Sequence, residues 1–216
     1  MIFKQVYSGG DRNFSYIVGS DITQEALVVD PSYDIKNILN ELKKNSLKVK
    51  YIINTHSHPD HVAGNKDLKK ITNAPIVLHE VSKYPHDIDV KDNDLIKIDD
   101  IEIQILYTPG HIPDHICLLI NSKKIITGDL LFVGKIGGTG QFFPGSDPEI
   151  EFESLKRLMD LEENIEVYPG HDYGSAKSST IGNEIRTNPF LLRDKFNDFI
   201  FLKEHWQEYK KEHGIK

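Results

Sequence analysis

Val49-Lys50-Tyr51-Ile52-Ile53-Asn54-Thr55-His56-Ser57-His58-Pro59-Asp60-His61 runs from an apolar stretch into a polar cluster, and the change of character at Asn54 is the key to the fold. Val49, Tyr51, Ile52 and Ile53 are β-branched or aromatic and predict a buried strand, while Asn54 to Pro59 predict the loop that leaves its end. Pro59 restricts the residue before it, which limits helix through Ser57 and His58. His56, His58, Asp60 and His61 are four metal-competent side chains on this loop, because neutral imidazole and ionised carboxylate are the usual ligands of Zn²⁺ and other first-row metals at catalytic sites. His56 and His58 can point one way and Asp60 and His61, on the following turn, to a neighbouring position, which suits two adjacent ions better than one. The alternative H-E-x-x-H helix is absent.

Three further stretches repeat the plan. Ile101, Ile103, Ile105 and Tyr107 lead into Thr108-Pro109-Gly110-His111; Lys124 to Thr127 lead into Gly128-Asp129; Glu166 to Tyr168 lead into Pro169-Gly170-His171. In each, a histidine or aspartate follows a predicted strand and sits beside a glycine that lets the chain turn tightly. A lone histidine is ordinarily structural or exposed. Strand-end placement four times over points instead to one shared site.

The segments THSHPDHVAG (55–64), TPGHIPDH (108–115), TGDLLF (127–132) and YPGHDYG (168–174) resemble, in order, the metal motifs of the metallo-β-lactamase-fold hydrolases. Within that superfamily the chain most resembles the glyoxalase II (hydroxyacylglutathione hydrolase) group and its relatives, the persulfide dioxygenases. The resemblance implies a first metal site of His56, His58 and His111 and a second of Asp60, His61 and His171, with Asp129 bridging them and Asp60 and Asp129 as the catalytic carboxylates. It implies two divalent metal ions, Zn²⁺ first, with Fe or Mn as alternatives. Two cations roughly 3.5 to 4 Å apart would share a water and lower its pKa from about 16 toward about 7, giving a hydroxide that attacks a thioester carbonyl. No serine or cysteine nucleophile is then needed.

The chain has 216 residues, 38% of them hydrophobic, and no Pro/Ser-rich linker, which predicts one domain over 1–216 with a short helical C-terminal extension from about 178. The net charge of −7 and the absence of a basic run disfavour nucleic acid as a partner. Cys117 is the single cysteine and reads as a packed strand residue within Ile116 to Ile120. Neither a membrane span nor a secretory leader is read, so no membrane partner and a cytoplasmic location are the default expectations. Oligomeric state is not legible.

Strands are predicted at 3–7, 14–18, 26–29, 51–53, 76–79, 95–98, 101–106, 116–120 and 124–126, with hairpin breaks at Asp99-Asp100 and Asn121-Ser122. Ile35, Ile38, Leu39 and Leu42 predict a helix with Asp34 as its cap; Phe152, Leu155, Leu158 and Met159 predict a second, and Phe196, Phe199, Ile200 and Trp206 a third. The pattern gives an α/β (α+β) fold. The resemblance sharpens this to a four-layer αββα sandwich.

The substrate-contacting segments depart from glyoxalase II. That family carries a lysine and a tyrosine after the bridging aspartate, where this chain has Gln141 and Phe143 in Gly137-Gly138-Thr139-Gly140-Gln141-Phe142-Phe143. Losing one charged and one neutral hydrogen bond would cost a few kcal/mol of glutathione affinity. Tyr173 matches a family glutathione contact or forms an aromatic cover over the metal loop, and Lys135 is a candidate replacement for the missing charge. Phe143, Tyr173 and Lys135 are thus the candidate substrate contacts. Glyoxalase II has a longer basic helical extension, whereas only about 45 residues follow His171, with Arg186, Arg193, Lys195, Lys210 and Lys211 among them. The expected partner is a small-molecule thioester or thiol-derived substrate. The alternative is a mononuclear iron oxygenase like the persulfide dioxygenases, with His56, His111 and Asp129 as ligands; the hydrolase is favoured because no arginine follows the glycine-rich loop as it does in those enzymes. His115 is expected to support rather than ligate, Asp30 to support the metal loop or form a turn, His79 to be core or rim, and His86, His205 and His213 to lie at the surface.

Overall fold

The computed structural model of the protein describes residues 1–215. The N-terminal half supplies β1 (Ile2–Tyr7), β2 (Phe14–Gly19), β3 (Glu25–Val29), α1 (Lys36–Lys44), β4 (Lys48–Ile53), α2 (Pro59–Val62), α3 (Asn65–Thr72), β5 (Ile76–His79) and β6 (Ile88–Val90). These six strands form one sheet in sequence order, antiparallel from β1 to β3 and parallel from β3 to β6. The C-terminal half follows with β7 (Leu95–Ile98), β8 (Ile101–Tyr107), β9 (Ile116–Ile120), β10 (Lys124–Gly128), a small hairpin of β11 (Leu131–Phe132) and β12 (Lys135–Ile136), α4 (Pro148–Met159), β13 (Glu166–Pro169), β14 (Ser179–Thr180), α5 (Ile181–Thr187), α6 (Phe196–Glu204) and α7 (Trp206–His213). Its main sheet runs β14-β13-β10-β9-β8-β7, with β10 and β13 parallel and the other pairs antiparallel.

Successive strand residues face opposite sides of a sheet, so strands buried on both faces divide their side chains between two cores. Tyr16, Val18, Leu27 and Val29 of the first sheet pack against Ile103, Ile116, Leu118 and Ile126 of the second. Their neighbours Ile17 and Val28 turn outward to Ile38 and Leu42 of α1 and Leu68 of α3. On the far side Cys117, Leu119 and Val167 meet Phe152 and Leu155 of α4 and Phe199 and Leu202 of α6. Three cores between four layers make the αββα sandwich. Cys117 is a core residue, and burial pushes its thiol up to about 12. No helix among the described residues is long and apolar enough to cross a membrane.

The expected strands are present, and both hairpin turns use positive φ, at Asp99 (53°) and at Asn121 and Ser122 (48° and 51°). Two expectations need correction, and one helix was missed. Asp34 lies just outside α1, whose first turn begins after Ile35, although its carboxylate accepts the Lys36 amide at 3.0 Å. The third helix is two, because His205 takes a non-helical backbone between α6 and α7. α3 escaped the periodicity reading: Leu68 is its only buried apolar side chain, and Ile71 is largely exposed.

Candidate metal centre

β10 and β13 run parallel, and β8 shares their direction because β9 lies antiparallel between it and β10. Their C-terminal ends therefore open at one edge, carrying Asp129, His171 and His111. β4 reaches the same edge from the other sheet, where the Thr55 carbonyl accepts the Ile116 amide at 2.8 Å. His58 is extended (ψ 145°), and Pro59 opens α2, where its missing N–H costs nothing, so Asp60 and His61 sit on a helical turn directly after the loop. Two glycines admit the close approach. A Cβ on Gly170 would stand 2.3 Å from Asp129 Oδ1, and one on Gly110 (φ +136°) would stand 2.3 Å from Glu151 Cα.

All seven donors named from the sequence meet here. His56, His58 and His111 form one set with ligand atoms within 4.8 Å of one another, Asp60, His61 and His171 a second, and His56, His61 and Asp129 a third. Asp129 faces both sides of the cluster: Oδ1 lies 3.4 Å from His61 Nε2, and Oδ2 lies 3.3 Å from His171 Nε2 and 3.8 Å from His111 Nε2. Oδ1 has no hydrogen-bond partner among the described residues although it is buried.

The outer ring nitrogens decide what the inner ones can do. His61 Nδ1 faces Asp30 Oδ2 at 3.0 Å, His111 Nδ1 the Gly138 carbonyl at 2.7 Å and His171 Nδ1 the Asp11 carbonyl at 2.8 Å. His56 Nδ1 faces Thr55 Oγ1 at 3.0 Å, and that hydroxyl already donates to Asp30 Oδ2 at 2.7 Å. All four acceptors demand a proton on Nδ1, which leaves Nε2 as a lone pair. Yet His61 Nε2 and His171 Nε2 are only 3.2 Å apart, and His58 Nδ1 lies 3.0 Å from both His56 Nε2 and His111 Nε2. Converging lone pairs beside a carboxylate need a cation, either a proton or a metal ion. Imidazole nitrogen with carboxylate oxygen is the donor set of zinc and of first-row metals, so the residues fit a metal.

Titration follows the same logic. Burial pushes His171 down, but the Asp129 charge and the hydrogen bonds to Asp129 and Asp60 outweigh it and hold the ring at about 9. Burial works against the charged forms of His61 and Asp129 as well; the Asp129 and Asp30 charges nevertheless raise His61, and His61 and His171 hold Asp129 well below the usual carboxylate range. His111, surrounded by apolar walls and other histidines, falls to about 4.

The supporting residues divide unevenly between the legible and the missed. Asp30 is buried at φ +49° and accepts the Thr55 amide and hydroxyl as well as His61, so it is both a turn residue and a brace for the metal loop. His115 stays off the donor cluster: its Nε2 accepts the Asp129 amide at 3.2 Å, its Nδ1 meets Thr108 Oγ1, and burial drives it down to about 3. Asn13 was missed; its amide donates to Asp60 Oδ2 at 2.9 Å. Asp114 was missed too, and accepts the Ser57 amide and the Ser82 hydroxyl. Neither carries a spacing signal. His79 is buried and stacked on Tyr107, and His86 is half-buried between Asp89 and the Tyr84 carbonyl rather than simply exposed.

Phe143 packs on His111 and His58 with its ring tilted by 54° and 50° and centroids 5.1 and 6.2 Å away. Tyr173 stacks on His171 at 4.5 Å, donates to Asp11, and lies beneath the Arg12 guanidinium. Lys135 Nζ donates to the Tyr173 carbonyl at 2.6 Å. Arg12, Lys135, Tyr173, Glu184 and Lys210 line a cavity of about 870 Å³ that none of the seven donors lines and that meets the metal centre through Tyr173, the ring stacked on His171. Of the five basic C-terminal residues, Lys210 is on this wall; Arg193 and Lys195 line a different groove, and Arg186 pairs with Glu163 at the surface.

A family model described as the metallo-beta-lactamase superfamily matches residues 8–87 and 78–171. The chain belongs to the metallo-beta-lactamase superfamily. Relatives within that superfamily include the hydroxyacylglutathione hydrolase of Pelagibacter ubique, 35% identical over 170 residues that cover 77% of this chain and 69% of that one. The probable polyketide biosynthesis zinc-dependent hydrolase PksB of Bacillus subtilis is 31% identical over 198 residues, 88% of this chain and 87% of that one. Among solved structures, ETHE1 from Myxococcus xanthus superposes with a TM-score of 0.88 at 29% identity, covering 95% of this chain and 91% of that one. The protein is accordingly a metal-dependent hydrolase of the metallo-beta-lactamase fold, with the His/Asp cluster typical of that superfamily.

Proposed function

We propose that the protein is a dinuclear thioesterase of the glyoxalase II type. The observation that carries this reading is Asp129, whose carboxylate reaches His61 and His171 of one donor set and His111 of the other within a complete seven-donor cluster. His56, His58 and His111 would hold one divalent ion and Asp60, His61 and His171 the other, with zinc first, iron or manganese as alternatives, and Asp129 shared. Bound there, the ions would supply a water acidified to near-neutral pKa and a Lewis acid for the thioester carbonyl.

The chain's own residues do the rest. Asn13 fixes Asp60, and although burial opposes the charge, His171 and His61 keep that carboxylate ionised. Phe143 covers the His58 and His111 edge and limits water there. Tyr173 and Lys135 border the cavity in which Arg12 and Lys210 can meet an acidic thiol carrier, while Gln141 and Phe143 stand where glyoxalase II has the lysine and tyrosine that contact glutathione. Hydrolysis yields a carboxylic acid and a thiol. The substrate is therefore a small-molecule thioester; the net charge of −7 makes nucleic acid an unsuitable partner.

The decisive experiment is metal analysis of protein purified without added metal, together with assays of glutathione and coenzyme A thioester hydrolysis and of oxygen uptake. Two ions per chain and thioester turnover are expected. One iron per chain with persulfide-dependent oxygen uptake would overturn the reading in favour of the His56, His111, Asp129 oxygenase. Asp129→Ala is expected to lower metal content and abolish turnover together, and unchanged values for both would refute the bridge.

A further inference from the structure

Lys203 of α6 and Glu151 of α4 form a buried ion pair with no part in the chemistry above. The Glu151 side chain is fully buried, that of Lys203 is 12% exposed, and Glu151 Oε1 has no hydrogen-bond partner among the described residues. Such a pair contributes little to stability, because desolvating two charges offsets most of their attraction and apolar replacements are often neutral or stabilising. The other contact of Lys203 shows what the pair holds. Lys203 Nζ donates to the Gly137 carbonyl at 3.1 Å. Gly137 is wedged against the metal centre, where a Cβ would stand 2.0 Å from the Asp129 carbonyl oxygen and 3.1 Å from His111 Nδ1. The next carbonyl, that of Gly138, accepts the His111 Nδ1 hydrogen at 2.7 Å. α4 grips the loop of His111 itself, through Ser154 Oγ on the Pro109 carbonyl at 2.6 Å and the Asp147 amide on the Gly110 carbonyl at 2.8 Å.

We propose that Lys203, held by Glu151, is a positioning residue for the metal ligand His111. Its ammonium braces the Gly137-Gly138 backbone, which keeps the Gly138 carbonyl in line with Nδ1 and the Nε2 lone pair turned to the ion. The C-terminal helix α6 thereby reaches the metal centre through one side chain. Hydrogen-bond partners behind a ligating histidine typically carry a 10–100-fold share of metal affinity. The inference rests on the metal centre and not on the thioester reading, so metal affinity tests it whatever the substrate proves to be.

Co²⁺ is the probe, titrated against a competing chelator with the full chain stripped of metal. Lys203→Met alone leaves Glu151 buried and unpaired and can impair folding, so Lys203→Met/Glu151→Leu is the deciding variant. It is expected to melt in the metal-free state at or above the parent temperature and to bind Co²⁺ about 10–100-fold more weakly. Lys203→Arg, which keeps a donor and a positive charge, is expected to retain most of the affinity. Affinity of the double variant within tenfold of the parent overturns the proposal, as does weakening matched by an equal loss of metal-free stability.

Discussion

Asp30 shows how much one side chain decides at the residue scale. Its carboxylate accepts the Thr55 amide, the Thr55 hydroxyl and His61 Nδ1, and so sets both the course of the metal loop and the tautomer of a ligand. Asparagine tolerates the φ of +49° at this position, so Asp30→Asn changes chemistry without straining the backbone. Its amide nitrogen must face either the Thr55 amide, which is also a donor, or His61, which pushes the ring proton to Nε2 on the metal side. Metal affinity should fall about 10–100-fold with the fold retained; chelator competition that returned the parental value would sink this account. His115 stood out in the sequence because it lies inside the 108–115 motif, and Asp30 because a carboxylate before Pro31 at the end of an apolar run marks a turn. Asn13, Asp11 and the Gly138 carbonyl did not, since a lone amide or a backbone oxygen carries no residue-type signal and reaches the site from more than 20 residues away from its nearest ligand in sequence or by main chain alone.

At the scale of elements, α4 and the Thr108 to His111 loop touch backbone to backbone. The Cβ of a Gly110→Ala variant would fall 2.3 Å from Glu151 Cα and 2.4 Å from its amide nitrogen, and φ of +136° is closed to alanine. Neither neighbour is a flexible side-chain end, so α4 must move and His111 with it. We expect a loss of about 3 kcal/mol or more in denaturant unfolding of the metal-free protein, with reduced metal content. Unfolding at the parental denaturant concentration would contradict that packing. α4 itself was legible, from the helical spacing of Phe152, Leu155 and Leu158, although its cap at Asp147 went unread. α3 was not, because eight residues with one buried apolar side chain leave no period to read. The break at His205 was hidden for the opposite reason: Phe196, Phe199 and Trp206 all pack on one core and look continuous in sequence.

For the whole molecule, the clustered titratable groups set how stability varies with pH once metal is removed. His171 has a folded value of about 9 against 6.5 unfolded, so its contribution is complete below about pH 6.5 and is lost as pH rises through 9. His111 and His115, lowered to about 4 and 3 chiefly by burial, contribute above 6.5 and lose that contribution as pH falls. The chelated protein should therefore melt highest near pH 6.5 and lower on either side. A melting temperature that kept rising to pH 9.5 would refute this balance. Bound metal displaces these protons, so its affinity should weaken toward acid. Sequence alone determined most of the long strands, the superfamily and the seven candidate donors, because each candidate follows a hydrophobic run at a glycine or proline break and such local patterns survive in one dimension, whereas the short strands β6, β11, β12 and β14 carry too few residues to show a period. Tertiary structure decided which donors face one another, which ring nitrogen is bare, and how α6 is tied to His111 through Lys203. Those depend on distances between atoms far apart in the chain, and only the packing of two sheets and their helices sets them.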